Sequence, residues 1–242
     1  KESTSSSPEF YMKYPNVGHG YEALPEAQEI LFKNATVWTG EEILENTDVH
    51  IRDQKILRIG QNLEAKKAQI IDATGKHLTA GIIDEHTHIG ALSVNESGHN
   101  SSAEVRMADV VDPKDLDLYR NLAGGVTTAQ LLHGSANPIG GQSALLRLKW
   151  GETADNFLFE GADGFIKFAL GENVKQSNWQ SFSRFPQTRM GVEQVFVDYF
   201  TRAKEYQKLK ASKQAYRYDE ELETLVEILE SKRFITSHSY VQ

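Results

Sequence analysis

The sequence predicts an α/β protein with a small β-rich unit in front of the α/β part. Two observations support this prediction. After Gly81, short apolar segments typical of β-strands alternate with segments whose apolar residues recur at helical spacing. Between residues 29 and 80, strand-like segments follow one another without any helical period. Strands that alternate with helices favour parallel pairing through βα units.

The composition excludes several classes of protein. Of the 242 residues, 26 are Lys or Arg and 34 are Asp or Glu, so the formal net charge is −8. A nucleic-acid-binding protein usually shows a basic face, so we expect no nucleic-acid partner. No window of about 18 uncharged apolar residues occurs, which predicts no membrane span. The chain contains 0 Cys, so disulfides, thiolate metal sites and a Cys nucleophile are excluded.

Residues 1–28 are predicted to form an extended leader. Pro and Gly residues interrupt this segment, no period emerges, and its first residues are polar and rich in Ser. The apolar region of a signal peptide is missing from it. Two interpretations fit these features: a disordered tail on a cytoplasmic protein, or a tether left on an exported protein after its signal peptide was removed.

Residues 29–80 are predicted to form a small all-β domain. Residues 47–52 and 55–60 read as a hairpin with a turn at Asp53-Gln54, and residues 30–38 and 69–72 supply further strands. A unit of roughly 50 residues buries too little apolar surface to be comfortably stable alone.

The remaining residues, 81–242, are predicted to alternate strands and helices. Asp112-Pro113 is expected to start the first helix, with Asp112 as the N-cap, and Gly124-Gly125 to end it. We predict five parallel strands at residues 82–89, 126–132, 143–150, 165–170 and 234–241. A closed barrel of this type needs eight strands and roughly 250 residues for itself, so a barrel built from this segment would be unfinished.

His86-Thr87-His88 is the most informative motif. Residues i and i+2 of a strand point to the same face, so both imidazoles project side by side from the end of an apolar strand. Two imidazoles in that position can share a metal ion at about 2.0–2.1 Å. Asp84 lies on the same face and could orient one of these ligands. The alternative is a chance His-x-His on a surface strand.

Lys167 interrupts an apolar strand, residues 165–170. Lysine is almost never fully buried unless it is paired. A protonated amine has no lone pair and repels a cation, so Lys167 could be a metal ligand only after losing its proton or gaining an acidic group. A carbamate would supply that group and could bridge two cations about 3.5–4 Å apart. The alternative is an edge-strand lysine that reaches solvent.

Four further residues are candidates for the same site. His238 lies near the end of an apolar strand and is the third imidazole candidate for metal binding. His133 also follows a strand and could contact substrate. Arg184 and Arg189 lie in or after the long connection that follows the Lys167 strand, and they could bind a substrate carboxylate. Two solvated arginines are an equally good interpretation of that pair.

Other motifs carry less information. Gly140-Gly141 precedes a predicted strand and not a helix, so it is expected to form a tight turn and not a phosphate loop. The remaining histidines are expected to be solvated or structural: His19, His50, His77 and His99.

Taken together, these residues resemble the metal-dependent amidohydrolase superfamily, especially its imidazolonepropionase-like and dipeptidase-like members. The most specific likeness is at residues 80–88, which are similar to the first barrel strand of that family. Residues 124–128 resemble its second strand, Lys167 its fourth-strand lysine and His238 its fifth-strand histidine. Gln54 stands where the family usually has Gly, which is a departure from its pattern.

The resemblance implies a fold and a domain organisation. We expect a (β/α)8 TIM-type barrel, of which residues 81–242 hold the first five βα units, and a small β-sandwich domain at residues 29–80. Residues 185–191 resemble a subgroup of exported bacterial members. The resemblance therefore favours a periplasmic or extracellular protein with its signal peptide removed, with a cytoplasmic protein as the alternative, and it is compatible with a homo-oligomer.

The resemblance also implies an activity: hydrolysis of a C–N bond in a small amide, cyclic amide or dipeptide. Two divalent metal ions are expected, zinc first, with iron or manganese as alternatives. His86 and His88 would hold one metal, carbamylated Lys167 would bridge, and His238 would hold the other. The family's sixth-strand histidine and eighth-strand aspartate would lie beyond Gln242, so we expect little activity from this chain alone.

Two other functions remain open at this point. One is an amidohydrolase-like binding or scaffold protein, or an inactive fragment, that keeps the fold without turnover. The other is a metal-dependent phosphoesterase on a similar barrel, which the β-rich unit at residues 29–80 disfavours.

Overall fold

A computed structural model describes residues 18–21, 23, 26–176, 184–212 and 214–239. Most of the predicted leader, and the end of the predicted last strand after Ser239, lie outside the described residues. The chain divides into two compact units, Lys1–Ile82 and Ile83–Gln242. Within the described ranges, no helix is both long enough and apolar enough to span a membrane.

The first unit is built around one five-stranded sheet. Its strands are β1 (Ile30–Trp38), β2 (Ile43–Arg52), β3 (Lys55–Gly60), β4 (Gln69–Asp72) and β5 (His77–Leu78). The order is β3-β2-β1-β4, with β5 also paired to β1. The predicted hairpin is confirmed: β2 and β3 pair antiparallel, and Asp53 and Gln54 both have positive φ, 52° and 60°, as a two-residue hairpin turn requires.

A small apolar core lies on one face of this sheet. Ala35, Val37, Val49 and Ala73 are buried in it, and half-buried residues of the same sheet pack around them. Three polar residues of this unit are also buried among the described residues, Thr47, His50 and Asp48, and the least exposed is Asp48, at 1%. Its Oδ2 accepts a hydrogen bond from Nζ of Lys33 at 2.5 Å, and backbone N–H groups donate to both of its oxygens.

The second unit is a mixed α/β structure with two three-stranded sheets. Its strands are β6 (Ile82–Thr87, which starts at the unit boundary), β7 (Val126–Leu131), β8 (Ile139–Gln142), β9 (Ala144–Arg147), β10 (Gly164–Leu170) and β11 (Arg233–Ser239). The sheet orders are β6-β7-β9 and β11-β10-β8. Strands β10 and β11 pair parallel along their whole length, from Gly164↔Arg233 to Leu170↔Ser239.

The third predicted strand differs from the prediction. The segment predicted at residues 143–150 forms only β9, which runs antiparallel to β7, and an additional strand, β8, precedes it and runs antiparallel to β10. The reason is the connection before it. Only residues 132–138 separate β7 from β8. β8 lies in the other sheet, and β9 follows it directly and pairs with β7, with Leu131 opposite Ala144. Residues 132–143 contain no helix that could cross between β7 and β9, so the two strands pair antiparallel.

Gly140 and Gly141 lie inside β8, so the predicted tight turn is wrong. Both glycines are needed for close approach. A Cβ on Gly140 would lie 2.8 Å from Nδ1 of His133 and 2.9 Å from the carbonyl oxygen of Lys167. Real Cβ atoms essentially never come that close to another atom. Glycine therefore lets the His133 ring and the Lys167 backbone pack directly against β8.

The described residues of this unit also form four helices. They are α1 (Leu116–Ala123), α2 (Ala154–Phe157), α3 (Arg189–Ala211) and α4 (Glu220–Leu229), with a 3-10 turn at Met107–Val110. The N-cap of α1 is Asp115, whose side chain accepts from the backbone N–H of Asp117. The expected cap, Asp112, instead makes a turn by accepting from the N–H of Lys114 at 3.0 Å. The helix therefore starts later than the Asp-Pro signal predicts.

The packing of α3 and α4 against β10 decides where Lys167 points. Ile166 and Phe168 are buried in one core with Val195 of α3 and Leu225 of α4. Successive residues of a strand point to opposite faces. Lys167 therefore projects from the face of β10 that does not carry the helices.

Candidate metal centre

Lys167 is 1% exposed, and its strand lies between β8 and β11. The alternative of an edge-strand lysine that reaches solvent is therefore wrong. The Nζ atom lies 3.2 Å from Nε2 of His86. Burial lowers the pKa of the Lys167 amine, because an apolar surrounding disfavours its charged form. Among the described residues, no carboxylate is hydrogen-bonded to this amine.

His86 and His88 stand side by side at the end of β6. Their ring centroids are 5.3 Å apart, with the rings nearly perpendicular. Nδ1 of His88 lies 2.9 Å from the carbonyl oxygen of Leu132. A carbonyl can only accept, so Nδ1 carries the proton and Nε2 keeps its lone pair. Loss of hydration, and then the positive charge of Lys167 in its protonated form, lowers the pKa of His86.

His238 reaches the same place from β11. In the parallel pair of β10 and β11, Lys167 lies opposite Thr236. His238 is two residues after Thr236 and points to the same face, so the side chains of Lys167 and His238 share a face of the sheet. The His238 ring centroid lies 6.1 Å from that of His86. Its Nδ1 lies 2.5 Å from Oγ of Ser135. Partial burial, and then Lys167, lowers the pKa of His238.

The structure therefore brings together all four predicted metal ligands: His86, His88, Lys167 and His238. Within the described part of the chain, no group of three or more His, Asp or Glu side chains could hold a metal ion by itself. The four residues supply nitrogen atoms only. Asp84 does not add an oxygen ligand to this set, because its carboxylate accepts a hydrogen bond from the backbone N–H of His86 at 3.1 Å. A carbamate on Lys167 would add the missing anionic oxygens, and the lowered pKa values of its neighbours favour the uncharged forms that bind metals.

His133 is held entirely by backbone groups. It is 1% exposed, its Nδ1 donates to the carbonyl oxygen of Gly134 at 2.9 Å, and its Nε2 accepts from the N–H of Glu96 at 2.7 Å. Burial lowers its pKa. These bonds hold the segment around Glu96 against the end of β7, and the predicted contact of His133 with substrate stays a prediction.

Arg184 is likewise bonded to backbone carbonyl groups. Its Nε donates to Ser97 at 2.7 Å and its Nη2 to Ala136 at 2.5 Å. Burial lowers the pKa of this guanidinium. Arg189 is different: it is exposed at the start of α3, beside a cleft of about 540 Å³ that Leu170 and Phe196 also line. Carboxylate binding by either arginine stays a prediction.

Sequence reasoning missed the residues that hold this site in place. They are Leu132 and Ser135, which bond the rings of His88 and His238, and Asn137, which is fully buried. The Asn137 Nδ2 donates to the carbonyl of Glu96, the carbonyl of His99 and Oγ of Ser102, at 2.8–3.3 Å. The one available signal was a cluster of polar residues directly after an apolar strand.

Comparisons with known proteins address the family of this chain. No protein-family model matches the chain. An alignment of 210 residues with amidohydrolase tasK of Hapsidospora irregularis shows 30% identity and covers 72% of this chain. D-hydantoinase of Geobacillus stearothermophilus is 48% identical over 59 residues, which is 24% of this chain and 12% of that enzyme.

A solved structure of an amidohydrolase from Thermotoga maritima is similar over most of the chain. The identity is 32%, the TM-score is 0.76, and the match covers 88% of this chain and 58% of that one. The chain spans 21% of the length of tasK. It is therefore shorter than the relatives it matches. With its His86-Thr87-His88 strand and buried Lys167, the chain belongs to the metal-dependent amidohydrolase superfamily.

Proposed function

We infer that the protein hydrolyses a C–N bond in a small molecule, namely an amide, a cyclic amide or a dipeptide. The observation that carries this proposal is the buried Lys167 amine, 3.2 Å from Nε2 of His86 and beside two more imidazoles. Relatives named amidohydrolase, D-hydantoinase and dihydroorotase support a hydrolase of C–N bonds.

The four clustered residues fit a pair of divalent metal ions. His86 and His88 would hold one ion, His238 the other, and carbamylated Lys167 would bridge them. Zinc is the first choice, with iron and manganese as alternatives. Bound metal would lower the pKa of a water molecule and polarise the substrate carbonyl.

Lys167 is suited to carbamate formation because its burial favours the neutral amine. The nitrogen lone pair attacks the carbon of CO2, so an N–C bond forms while one C=O π bond breaks and its electron pair moves to oxygen, and the nitrogen then releases one proton to solvent. The product is an anion, which supplies the charge that the three imidazoles lack. A protonated lysine could not react in this way.

Substrate binding is proposed for three residues, His133, Arg184 and Arg189. Arg189 is exposed and lines a cleft, and a guanidinium can bind a substrate carboxylate through two parallel hydrogen bonds. Arg184 and His133 would act with it only if substrate replaces some of their bonds to the backbone. The substrate is therefore a small molecule or dipeptide, in some cases with a free carboxylate.

The finer architecture is part of the same proposal. Residues 81–242 would be the first five units of a (β/α)8 barrel, in which the third strand is reversed, and residues 29–80 a small β-sandwich domain. Residues 1–28 would be the leader of an exported, periplasmic or extracellular protein, which could assemble as a homo-oligomer. Cell fractionation and light scattering on the purified protein test these last two points.

Activity assays test the proposed function directly. The purified chain, supplied with Zn²⁺ and bicarbonate, is assayed with dipeptides, cyclic amides and a phosphoester. Weak hydrolysis of amide substrates, which Lys167→Met abolishes, is the expected result for this chain alone. Cleavage of the phosphoester alone would contradict the proposal. Metal binding without any turnover would favour a binding or scaffold protein.

A further inference from the structure

Two imidazoles of the candidate metal centre are bonded to the same short segment of chain, residues 132–135. The carbonyl oxygen of Leu132 accepts from Nδ1 of His88 at 2.9 Å. Oγ of Ser135 lies 2.5 Å from Nδ1 of His238. The two histidines come from different strands, so this segment fixes the orientation of one ring relative to the other.

The segment itself is rigidly held. Leu132 and Gly134 are buried, and the N–H of Leu132 donates to the carbonyl of Thr87 at 3.0 Å. The N–H of Gly134 donates to the carbonyl of Val94 at 2.7 Å. The ring of His133 is bonded to backbone groups at both nitrogens. A serine hydroxyl on such a segment is a fixed point for a neighbouring ring.

The chemistry of the two contacts differs in one respect. A carbonyl can only accept, so the proton of His88 must be on Nδ1. A serine hydroxyl can donate or accept, so Ser135 leaves two tautomers of His238 open. Only the tautomer with the proton on Nδ1 has a lone pair on Nε2, the nitrogen away from Ser135.

We propose that Ser135 is a positioning residue for the metal centre: its Oγ accepts a hydrogen bond from Nδ1–H of His238 and so makes Nε2 the metal-binding atom. The inference rests on the proposed function for the identity of His238 as a ligand. Ser135 itself touches neither metal nor substrate. Hydrogen-bond partners of this kind orient ligand rings, and their loss typically weakens metal binding by about 10–100-fold.

Nitrogen NMR of the imidazoles tests the tautomer without any metal. The full chain, labelled with ¹⁵N-histidine and stripped by a chelator, has eight histidines, and His238→Gln assigns the signal of interest. We expect the proton of His238 on Nδ1 in the unmodified chain. In Ser135→Ala that signal should move toward a mixture of tautomers, and Ser135→Thr should restore it. His88 is the internal reference and should not change.

Metal affinity gives the second measurement. The dissociation constant for Zn²⁺, from competition with a chromogenic chelator, should rise about 10–100-fold in Ser135→Ala and stay within about threefold in Ser135→Thr. The exposed Ser93→Ala is the matched control and should bind Zn²⁺ like the unmodified chain.

Two results would overturn the proposal. One is a His238 proton on Nε2 in the unmodified chain, a measurement that does not depend on whether any variant folds. The other is a Ser135→Ala chain with unchanged tautomer and affinity. Failure of the proposed function would look different: the unmodified chain would bind no Zn²⁺, or would bind it without turnover, while the tautomer of His238 remained as expected.

Discussion

Lys33 in the first unit and Lys167 in the second show two ways in which a strand can accommodate a lysine. The side chain of Lys33 is 25% exposed, and its Nζ lies 2.5 Å from Oδ2 of Asp48 and 3.1 Å from the carbonyl oxygen of Leu63. Lys167 is 1% exposed, and its bonded neighbour is an imidazole, His86. The amine of Lys33 has an anionic partner, whereas among the described residues the amine of Lys167 has none.

The difference shows what each lysine is suited to do. Burial alone would raise the pKa of Asp48, but hydrogen bonds from Lys33 and from two backbone N–H groups lower it. That pair is charged and structural. At Lys167, burial acts alone and lowers the pKa of the amine. A buried amine with a lowered pKa contributes little to stability, and on losing its proton it becomes a nucleophile and a metal ligand.

Replacement of Lys167 should give the largest effect on activity. Lys167→Met removes the proposed bridge, which corresponds to several kcal/mol of transition-state stabilisation, so kcat/KM should fall about 10³-fold or more. Stability should be unchanged or higher, because an apolar side chain replaces a buried amine without a counter-ion. Kinetic assays and urea unfolding measure the two effects. Loss of stability without loss of metal would contradict this account.

Lys33→Met should show the opposite pattern. It leaves the Asp48 carboxylate buried without its cation, and we expect a loss of about 2–3 kcal/mol in the free energy of unfolding. Metal content and activity per folded molecule should be unchanged. The double replacement of Lys33 and Asp48 by apolar residues of similar size should recover part of the stability. If it does not, the pair is not the source of the loss.

Acid should destabilise the second unit through His133. Folding lowers the pKa of this buried imidazole below its ordinary 6.5, so the unfolded chain takes up the proton first as pH falls. Its stabilising contribution is complete above about pH 6.5 and is lost as pH falls through the folded-state pKa. Urea midpoints between pH 8 and pH 5 measure it. His133→Gln should lower the free energy of unfolding at pH 8 by about 1–3 kcal/mol, and the free energy of unfolding should then depend less on pH. His99→Gln, at an exposed site, should leave the slope unchanged.

Replacing Arg184 and Arg189 one at a time should distinguish an arginine that stabilises the fold from one that binds substrate. Arg184→Gln removes bonds to the carbonyl groups of Ser97 and Ala136 and should cost about 1–2 kcal/mol of stability. Arg189→Gln should leave stability within about 0.5 kcal/mol, because its side chain is on the surface. It should raise KM for carboxylate-bearing substrates only. Equal effects of both replacements on KM would show that this distinction is wrong.

The sequence predicted the metal-centre residues because each one breaks a local rule. Lys167 interrupts an apolar strand, and His86 and His88 share a strand face, so both signals are visible within a few residues. The approximate positions of β7, β10 and β11 were also predictable, because each strand is a short apolar segment that can be recognised locally. Pairing within β2 and β3 followed from local alternation and the turn between them.

What could not be predicted depends on residues far apart in the chain. Leu132 is 44 residues from His88, and Ser135 is 103 residues from His238. No local pattern links the members of either pair. The antiparallel direction of β9 was missed because the strand pattern is the same in either direction, and only the helix-free connection at residues 132–143 decides it. Asp112-Pro113 correctly predicted a helix but placed its start too early, because the N-cap is Asp115 and not Asp112.

Metal content per chain tests the central claim most directly. The full chain and Lys167→Met are purified without chelators, supplied with Zn²⁺ and bicarbonate, and measured by plasma mass spectrometry. The account predicts close to two equivalents in the unmodified chain and one or fewer in Lys167→Met, with Lys33→Met like the unmodified chain. Near-zero metal in the unmodified chain, or equal loading in Lys167→Met, would contradict it.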